Sequence, residues 1–192
     1  MPLTIGLTGG IAAGKSEALA AFSRLGASTL SSDAVVHELL DSEPLLGRLV
    51  ERWGPEIVSD GKVERAKIGE IVFADPEQLT WLEGQIHPLV RERMAGWLSG
   101  LPAETEIAVI EVPLLFESGL QGAFDTTVAI VTEDEVRRER AAARGHALVD
   151  EREARQLGQE EKAARAEHAV ANDGSVADLE RALAALIAEL RA

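Results

Sequence analysis

Gly9-Gly10-Ile11-Ala12-Ala13-Gly14-Lys15-Ser16 stands between the apolar run Leu3 to Leu7 and an amphipathic stretch that extends from Gly14 to about Leu25. The octet is a complete G-x-x-x-x-G-K-[ST], placed where its chemistry requires it, after a strand and at the opening of a helix. Its glycines let the backbone curl so that successive N–H groups point inward, and the helix N-terminus adds positive dipole. In that cradle Lys15 reaches the β- and γ-phosphates of a nucleotide, and Ser16 is left to ligate Mg²⁺. The stretch therefore predicts a phosphate-binding loop at the carboxyl end of a first, buried strand.

Working outward, further short apolar runs occur at Ala27 to Leu30, Ile107 to Val112, Thr127 to Val131 and Ala169 to Ala171, separated by longer helical patterns. Five short strands alternating with helices predict a parallel sheet, and runs that are apolar throughout predict helices on both of its faces. The fold class is α/β, doubly wound. A last helix is marked by Val176, Leu179, Leu183, Leu186, Ile187 and Leu190, which step by three and four. Between the second and third strands lie some seventy residues with helical periodicity, turns at Gly54 and Asp60, and prolines at 76 and 88. That is too long for a simple crossover, so residues 33–103 are expected to form a helical insertion. Trp53, Trp81 and Trp97 all fall in it and are expected to fill its small core; Pro88 is expected to sit in a helix-initiating turn.

The chain has 192 residues, no cysteine and a net charge of −14. Its length suits one domain with an insertion. Disulfides, thiolate metal sites and cysteine nucleophiles are excluded. An acidic balance disfavours non-specific binding to nucleic acid or to an anionic membrane, so phosphate must be held locally. With no long apolar window and no basic stretch ahead of the first apolar run, a cytoplasmic protein, monomeric or weakly self-associating, is the expectation. Against the acidic background, residues 137–165 carry seven arginines and Lys162 against six acids. This positive island, with helical signals on both sides of Gly145-His146, predicts a flap of two short helices, residues 135–166. The remaining segments, 1–32, 104–134 and 167–192, form the core.

A nucleotide loop does not by itself define a reaction. None of the four lysines follows an asparagine, so the guanine-reading N-K-x-D is absent and GTPase chemistry is disfavoured. Asp33, just after the second strand, is placed either to take a proton from an attacking hydroxyl or to cap the next helix. Glu111 and Glu117 bracket Val112 to Phe116 at the end of the third strand, where an acid helps order Mg²⁺; both also read as solvated or capping carboxylates. Arg140 and Arg144, four apart, share a helix face and suit charge neutralisation on a transferring phosphoryl group, with surface ion pairing as the alternative. His87 and Arg91 are likewise four apart and could face a substrate phosphate, and His87 lacks partners at zinc-ligand spacing.

Together, IGLTGGIAAGKS, SSDAVVHEL, DGKVERAKIGEIVFADPE, IHPLVR, VPLLFE, RRERAAARG and HAVANDGS, in this order and spanning almost the whole chain, resemble the dephospho-CoA kinase family. The resemblance implies transfer of the ATP γ-phosphoryl group to the ribose 3′-hydroxyl of dephospho-CoA, with Mg²⁺. It implies that Asp33, Lys15 and Arg140 are catalytic. Gly9, Gly10, Ala12, Ala13, Gly14, Lys15, Ser16, Glu17, Arg144 and Asn172 are implied on the nucleotide side, with Asn172 near the adenine and Ser16 on the metal. Thr8, Asp33, Arg65, His87, Arg91, Leu114 and Glu117 are implied on the acceptor side. The chain departs from the family pattern at Ala12 and Ala13, where Gly and Ser are usual, and at Glu17, Ser31 and Glu111. At Ala12 a Cβ costs about 1 kcal/mol if the backbone there takes positive φ. The rival readings are another small-molecule kinase of the same fold and an ATP-dependent regulatory module.

Overall fold

The computed structural model describes residues 1–143 and 156–191, with the backbone alone at 141–143. The chain divides into two compact units, Met1–Ser31 with Leu101–Ala192, and Ser32–Gly100.

The first unit is built on a parallel five-stranded sheet. Its strands are β1 (Leu3–Gly9), β2 (Ser28–Ser31), β5 (Ile107–Glu111), β6 (Thr126–Val131) and β7 (His168–Ala171), in spatial order β2-β5-β1-β6-β7. Central β1 runs beside β5 with Leu3 opposite Ile107 and beside β6 with Ile5 opposite Thr126. Every residue of β5 and the first five of β6 are buried, which explains why these runs are apolar without alternation. Helix α1 (Lys15–Arg24) buries Ala18, Ala21 and Phe22, and α8 (Val176–Leu190) buries Leu179, Leu183, Leu186 and Ile187 into the same core as Ile5, Leu7, Val109, Val128 and Ile130. A capping box, in which Ser175 accepts from Asp178 N while Asp178 accepts from Ser175 N, starts α8 and contributes about 1 kcal/mol. Two further helices are α6 (Asp134–Ala143) and α7 (Gln159–Arg165).

α7 packs against β1 and β6. The flap expected over residues 135–166 is corrected at its C-terminal end, because this helix belongs to the covering of the sheet; its middle lies outside the described residues.

The second unit holds α2 (Ser32–Leu40), α3 (Leu45–Trp53), α4 (Arg65–Ala74), α5 (Pro76–Ser99) and a two-residue hairpin pair, β3 (Val58–Ser59) with β4 (Lys62–Val63). The expected turn at Asp60 is that hairpin's turn: Asp60 and Gly61 both take positive φ, at 51° and 75°, the pairing a tight hairpin favours. Two expectations are corrected here. The core is aliphatic, built from residues such as Leu45, Leu49, Ile57, Ile68, Leu82, Ile86 and Val90, while all three tryptophans are only half-buried. Trp53 and Trp81 meet edge to face at 5.3 Å, Trp53 Nε1 donates to Gln78 Oε1, and the Arg52 guanidinium lies over Trp81, which places polar partners at these rings instead of a dry core. Pro88 lies inside α5, not in a turn that begins a helix. The start is made at Asp75, whose side chain accepts from Glu77 N, with Pro76 in the first turn.

Candidate active site

The loop between β1 and α1 sits at the carboxyl end of the central strand, where open parallel sheets place their ligands. Its backbone demands glycine at defined points. Gly9 takes φ 155°, and a Cβ there would come within 2.5 Å of Ile130 O. Gly14, the residue before α1, takes φ 93°, and a Cβ there would overlap Asn172 Nδ2. Ala12 takes φ 60°, so the strain anticipated at this position is present, about 1 kcal/mol. Lys15 Nζ donates to Gly9 O at 3.2 Å and Gly10 O at 2.9 Å, which holds the ammonium over the concave side of the loop.

The far side of the loop is pinned by residues from the ends of β6 and β7. Ala13 O accepts from Asn172 Nδ2 at 2.8 Å and from Thr132 Oγ1 at 2.9 Å, all three residues being buried. Arg140 Nη1 donates to Asn172 O at 2.9 Å and lies 3.8 Å from the Cβ position of Gly14. Arg140 therefore reaches the phosphate loop from α6, and its described partner is a carbonyl in place of the ion pair considered on sequence. The Asn172 amide acts on the loop backbone as a latch on Ala13. Arg137 comes to the same place, its Cδ 4.0 Å from the Cβ position of Gly10. Arg144 lies outside the described residues.

In the turn after β5, Pro113 and Glu117 meet a residue that sequence reading counted only as part of the positive island. Lys162, on α7, is fully buried; its Nζ donates to Pro113 O at 2.5 Å and pairs with Glu117 Oε1 at 3.1 Å. Thr8 Oγ1 donates to the same carbonyl at 3.2 Å. Burial pushes the Lys162 ammonium below the usual lysine range, and the Glu117 carboxylate partly opposes that shift. Leu114 is half-exposed at 38%. Glu111 is buried at the end of β5, in register with Leu7 and Ser31. Gln159, also unnoticed on sequence, clamps Thr132 by accepting from its N–H and donating to its carbonyl, both at 2.8 Å. The apolar-polar pattern of so short a helix offers no signal for either residue.

Asp33, Arg65, His87 and Arg91 belong to the second unit and are all exposed. Asp33 is the second residue of α2, inside its first turn, so the capping alternative, which needs the residue before the helix, does not describe it. His87 and Arg91 stand one turn apart on α5.

The donor set suits a nucleotide with its metal. Two backbone positions of the loop, Gly9 and Gly14, leave no room for a side chain, and among the described residues no three carboxylate or imidazole groups gather around a point. A divalent ion here would be held as Mg²⁺ is in kinases, by a hydroxyl such as that of Ser16, by substrate phosphates and by water.

A P-loop on the central strand of a parallel sheet, with a guanidinium brought to its end from a separate helix, defines an α/β phosphotransferase of the P-loop kinase class. Residues 3–178 match the CoaE family, described as dephospho-CoA kinase. A dephospho-CoA kinase of Thermus thermophilus is 38% identical over 98% of this chain and 92% of its own. A crystal structure of a Thermus thermophilus protein superposes with a TM-score of 0.84 at 39% identity, covering 98% of both chains. Dephospho-CoA kinase from Campylobacter jejuni superposes with a TM-score of 0.74 at 28% identity, covering 99% of this chain and 98% of its own. The chain belongs to the dephospho-CoA kinase family.

Proposed function

We propose that this protein transfers the γ-phosphoryl group of ATP to the 3′-hydroxyl of the ribose of dephospho-CoA, giving coenzyme A and ADP. The observation that carries the reading is the assembly at the phosphate loop: Lys15 over its concave side, and Arg140 at its Gly14 end, tied to Asn172.

Phosphoryl transfer asks the protein for positioning and charge neutralisation more than for covalent chemistry. In this reading the loop N–H groups and Lys15 hold the β- and γ-phosphates, and Arg140 meets charge that develops on the transferring group. Ser16 would hold Mg²⁺, which would supply charge neutralisation at the phosphate oxygens. Asp33 accepts the proton of the 3′-hydroxyl as that oxygen bonds to the γ-phosphorus and the bond to the β–γ bridging oxygen breaks. Arg65, His87 and Arg91 bind the acceptor. Transfer to an alcohol instead of water requires that water, the competing acceptor, be kept from the γ-phosphorus.

The test is mass spectrometry of small-molecule products after incubation with Mg-ATP and dephospho-CoA, with fragmentation to locate the new phosphate and a Lys15→Ala control. A product one phosphoryl group heavier, modified on the ribose 3′-oxygen and absent with the control, is expected. Unmodified dephospho-CoA with ATP still bound would move the proposal to another acceptor, found by a panel of alcohols and nucleotides.

A further inference from the structure

Gln159 opens α7 and takes no part in the chemistry proposed above, yet it meets the phosphate loop by two routes within one compact unit. The first is direct: a Cβ added to Gly10, the first residue past β1, would lie 3.2 Å from the Gln159 Cβ and 3.7 Å from its Oε1. The second runs through Thr132. β6 ends at Val131, and its last paired residues are Ile130, opposite Gly9, and Val131, opposite Ala171. Thr132 is the next residue, buried and beyond both ladders. Its N–H donates to Gln159 Oε1 and its carbonyl accepts from Gln159 Nε2, both at 2.8 Å, so the carboxamide stands where the peptide of a further strand residue would. From the side chain of the same residue, Oγ1 donates to Ala13 O at 2.9 Å, with Asn172 O at 3.4 Å. α7 is itself anchored one turn further on, where buried Lys162 bonds Pro113 O and pairs with Glu117 Oε1, which also accepts from Leu157 N at 2.8 Å.

Buried N–H and C=O groups need partners wherever they fall, so the pair of bonds to Thr132 would be made in any well-packed fold. What they fix is specific to this place. Two bonds from one planar carboxamide set the orientation of the Thr132 backbone, and a β-branched side chain on a fixed backbone has few directions left for its hydroxyl. That hydroxyl holds Ala13 O, inside the loop whose N–H groups cradle phosphate. Ala13 is buried and follows Ala12, whose φ of 60° is a conformation that persists only where the surroundings hold it. The loop therefore depends on support from outside its own eight residues, and Gln159 stands behind one of the supports.

We propose that Gln159 is a positioning residue for the nucleotide: by fixing Thr132 it aims the hydroxyl that holds Ala13 O, and so keeps the loop in the shape that receives the phosphates of ATP. The proposal rests on the nucleotide half of the reading given above and not on the identity of the acceptor. The perturbation is Gln159→Leu in the full-length protein, which removes both bonds to Thr132 and keeps the Cβ beside Gly10. A thermal melt sets a temperature at which parent and variant are both folded, and titration calorimetry with Mg-ATP at that temperature gives the Kd. The expected result is a Kd raised about tenfold. Thr132→Val, which removes the hydroxyl and keeps the backbone and the shape, tests the route: combined with Gln159→Leu it should raise the Kd by much less than the product of the two single effects. A residue that only satisfies buried backbone groups would lower the melting temperature and leave the Kd for ATP where it was. A folded Gln159→Leu with the parental Kd, or two effects that simply multiply, would overturn the proposal. Should Gln159→Leu not fold, Gln159→Glu carries the same test, since it keeps the acceptor for the Thr132 N–H and loses only the donor to the carbonyl; its Kd should rise, and an unchanged Kd would overturn the proposal equally. Parent protein that binds no Mg-ATP would instead defeat the nucleotide reading itself, before any variant is compared.

Discussion

Gly14→Ala combines two costs that the molecule allows to be separated. Gly14 takes φ 93° and Gly26, at the end of α1, takes φ 91°, so an alanine at either site bears nearly the same left-handed strain, about 1–2 kcal/mol. At Gly26 nothing lies within 4 Å of the added Cβ, whereas at Gly14 the Cβ overlaps Asn172 Nδ2. The new methyl must displace that amide, which loses its 2.8 Å bond to the buried Ala13 carbonyl. Breaking such a bond with buried partners costs about 1–3 kcal/mol, so Gly14→Ala should be less stable than Gly26→Ala by about 2 kcal/mol. For a chain of 192 residues that difference lowers the melting temperature by roughly 4–8 °C more. Thermal melts of both variants supply the comparison, and Asn172→Ala closes a double-mutant cycle. In that background Gly14→Ala should cost only the strain measured at Gly26. Equal losses for the two glycines, or no coupling to Asn172, would refute the latch.

Three further outcomes follow from particular groups. Asp33→Asn should leave the Kd for ATP unchanged and lower kcat by about two to four orders of magnitude, read by coupled ADP release; near-normal turnover would remove the base assignment. Arg140→Ala should melt within a few degrees of the parent while kcat falls by about 10²–10³-fold, and an unchanged rate would reduce Arg140 to a brace on Asn172. Asp125 is held below its ordinary value of 3.8 chiefly by the Thr4 N–H and then the Thr4 hydroxyl, and Glu167 below 4.5 chiefly by the Thr127 hydroxyl. A carboxylate lowered on folding contributes its stability above its unfolded pKa and loses it as pH falls through the folded one. Urea midpoints should therefore fall as the pH drops below about 4.5, and Glu167→Gln should flatten that decline; a variant as acid-sensitive as the parent would contradict it.

What could be read from the chain was what local chemistry dictates. The phosphate loop is legible because eight consecutive residues carry its whole requirement, and the strands because burial on both faces leaves runs such as Ile107 to Ile110 without a polar residue. The strain at Ala12 was foreseeable as a condition, and φ 60° fulfils it. Where a residue's setting depends on partners far along the chain, the same reasoning misled. Three tryptophans in one insertion suggest a core, but Gln78 and Arg52 draw Trp53 and Trp81 to the polar margin, and leucine, isoleucine and valine fill the interior. Pro88 suggests a helix start because proline lacks an N–H, yet α5 begins twelve residues earlier at Pro76 and carries Pro88 within it.

The candidate site divides along the same line. Lys15 and Ser16 are fixed by a motif, but the groups that set the motif's shape, Thr132 and Asn172, lie more than a hundred residues away and reach it through single hydrogen bonds to Ala13 O, with Gln159 holding Thr132 in turn. Lys162 is the extreme case. On sequence it adds one charge to a positive island, and a charged helix is normally a solvated one. Its burial follows from three distant choices: Thr8 at the end of β1, a carbonyl at Pro113 and a carboxylate at Glu117, none of which marks it as special. A buried charge is tolerated only where all its partners are supplied, so the residues that cost most to place are those whose reason is spread over the whole fold. That is why the phosphate loop can be read from eight residues, while the buried ammonium of Lys162 becomes legible only from the packing around it.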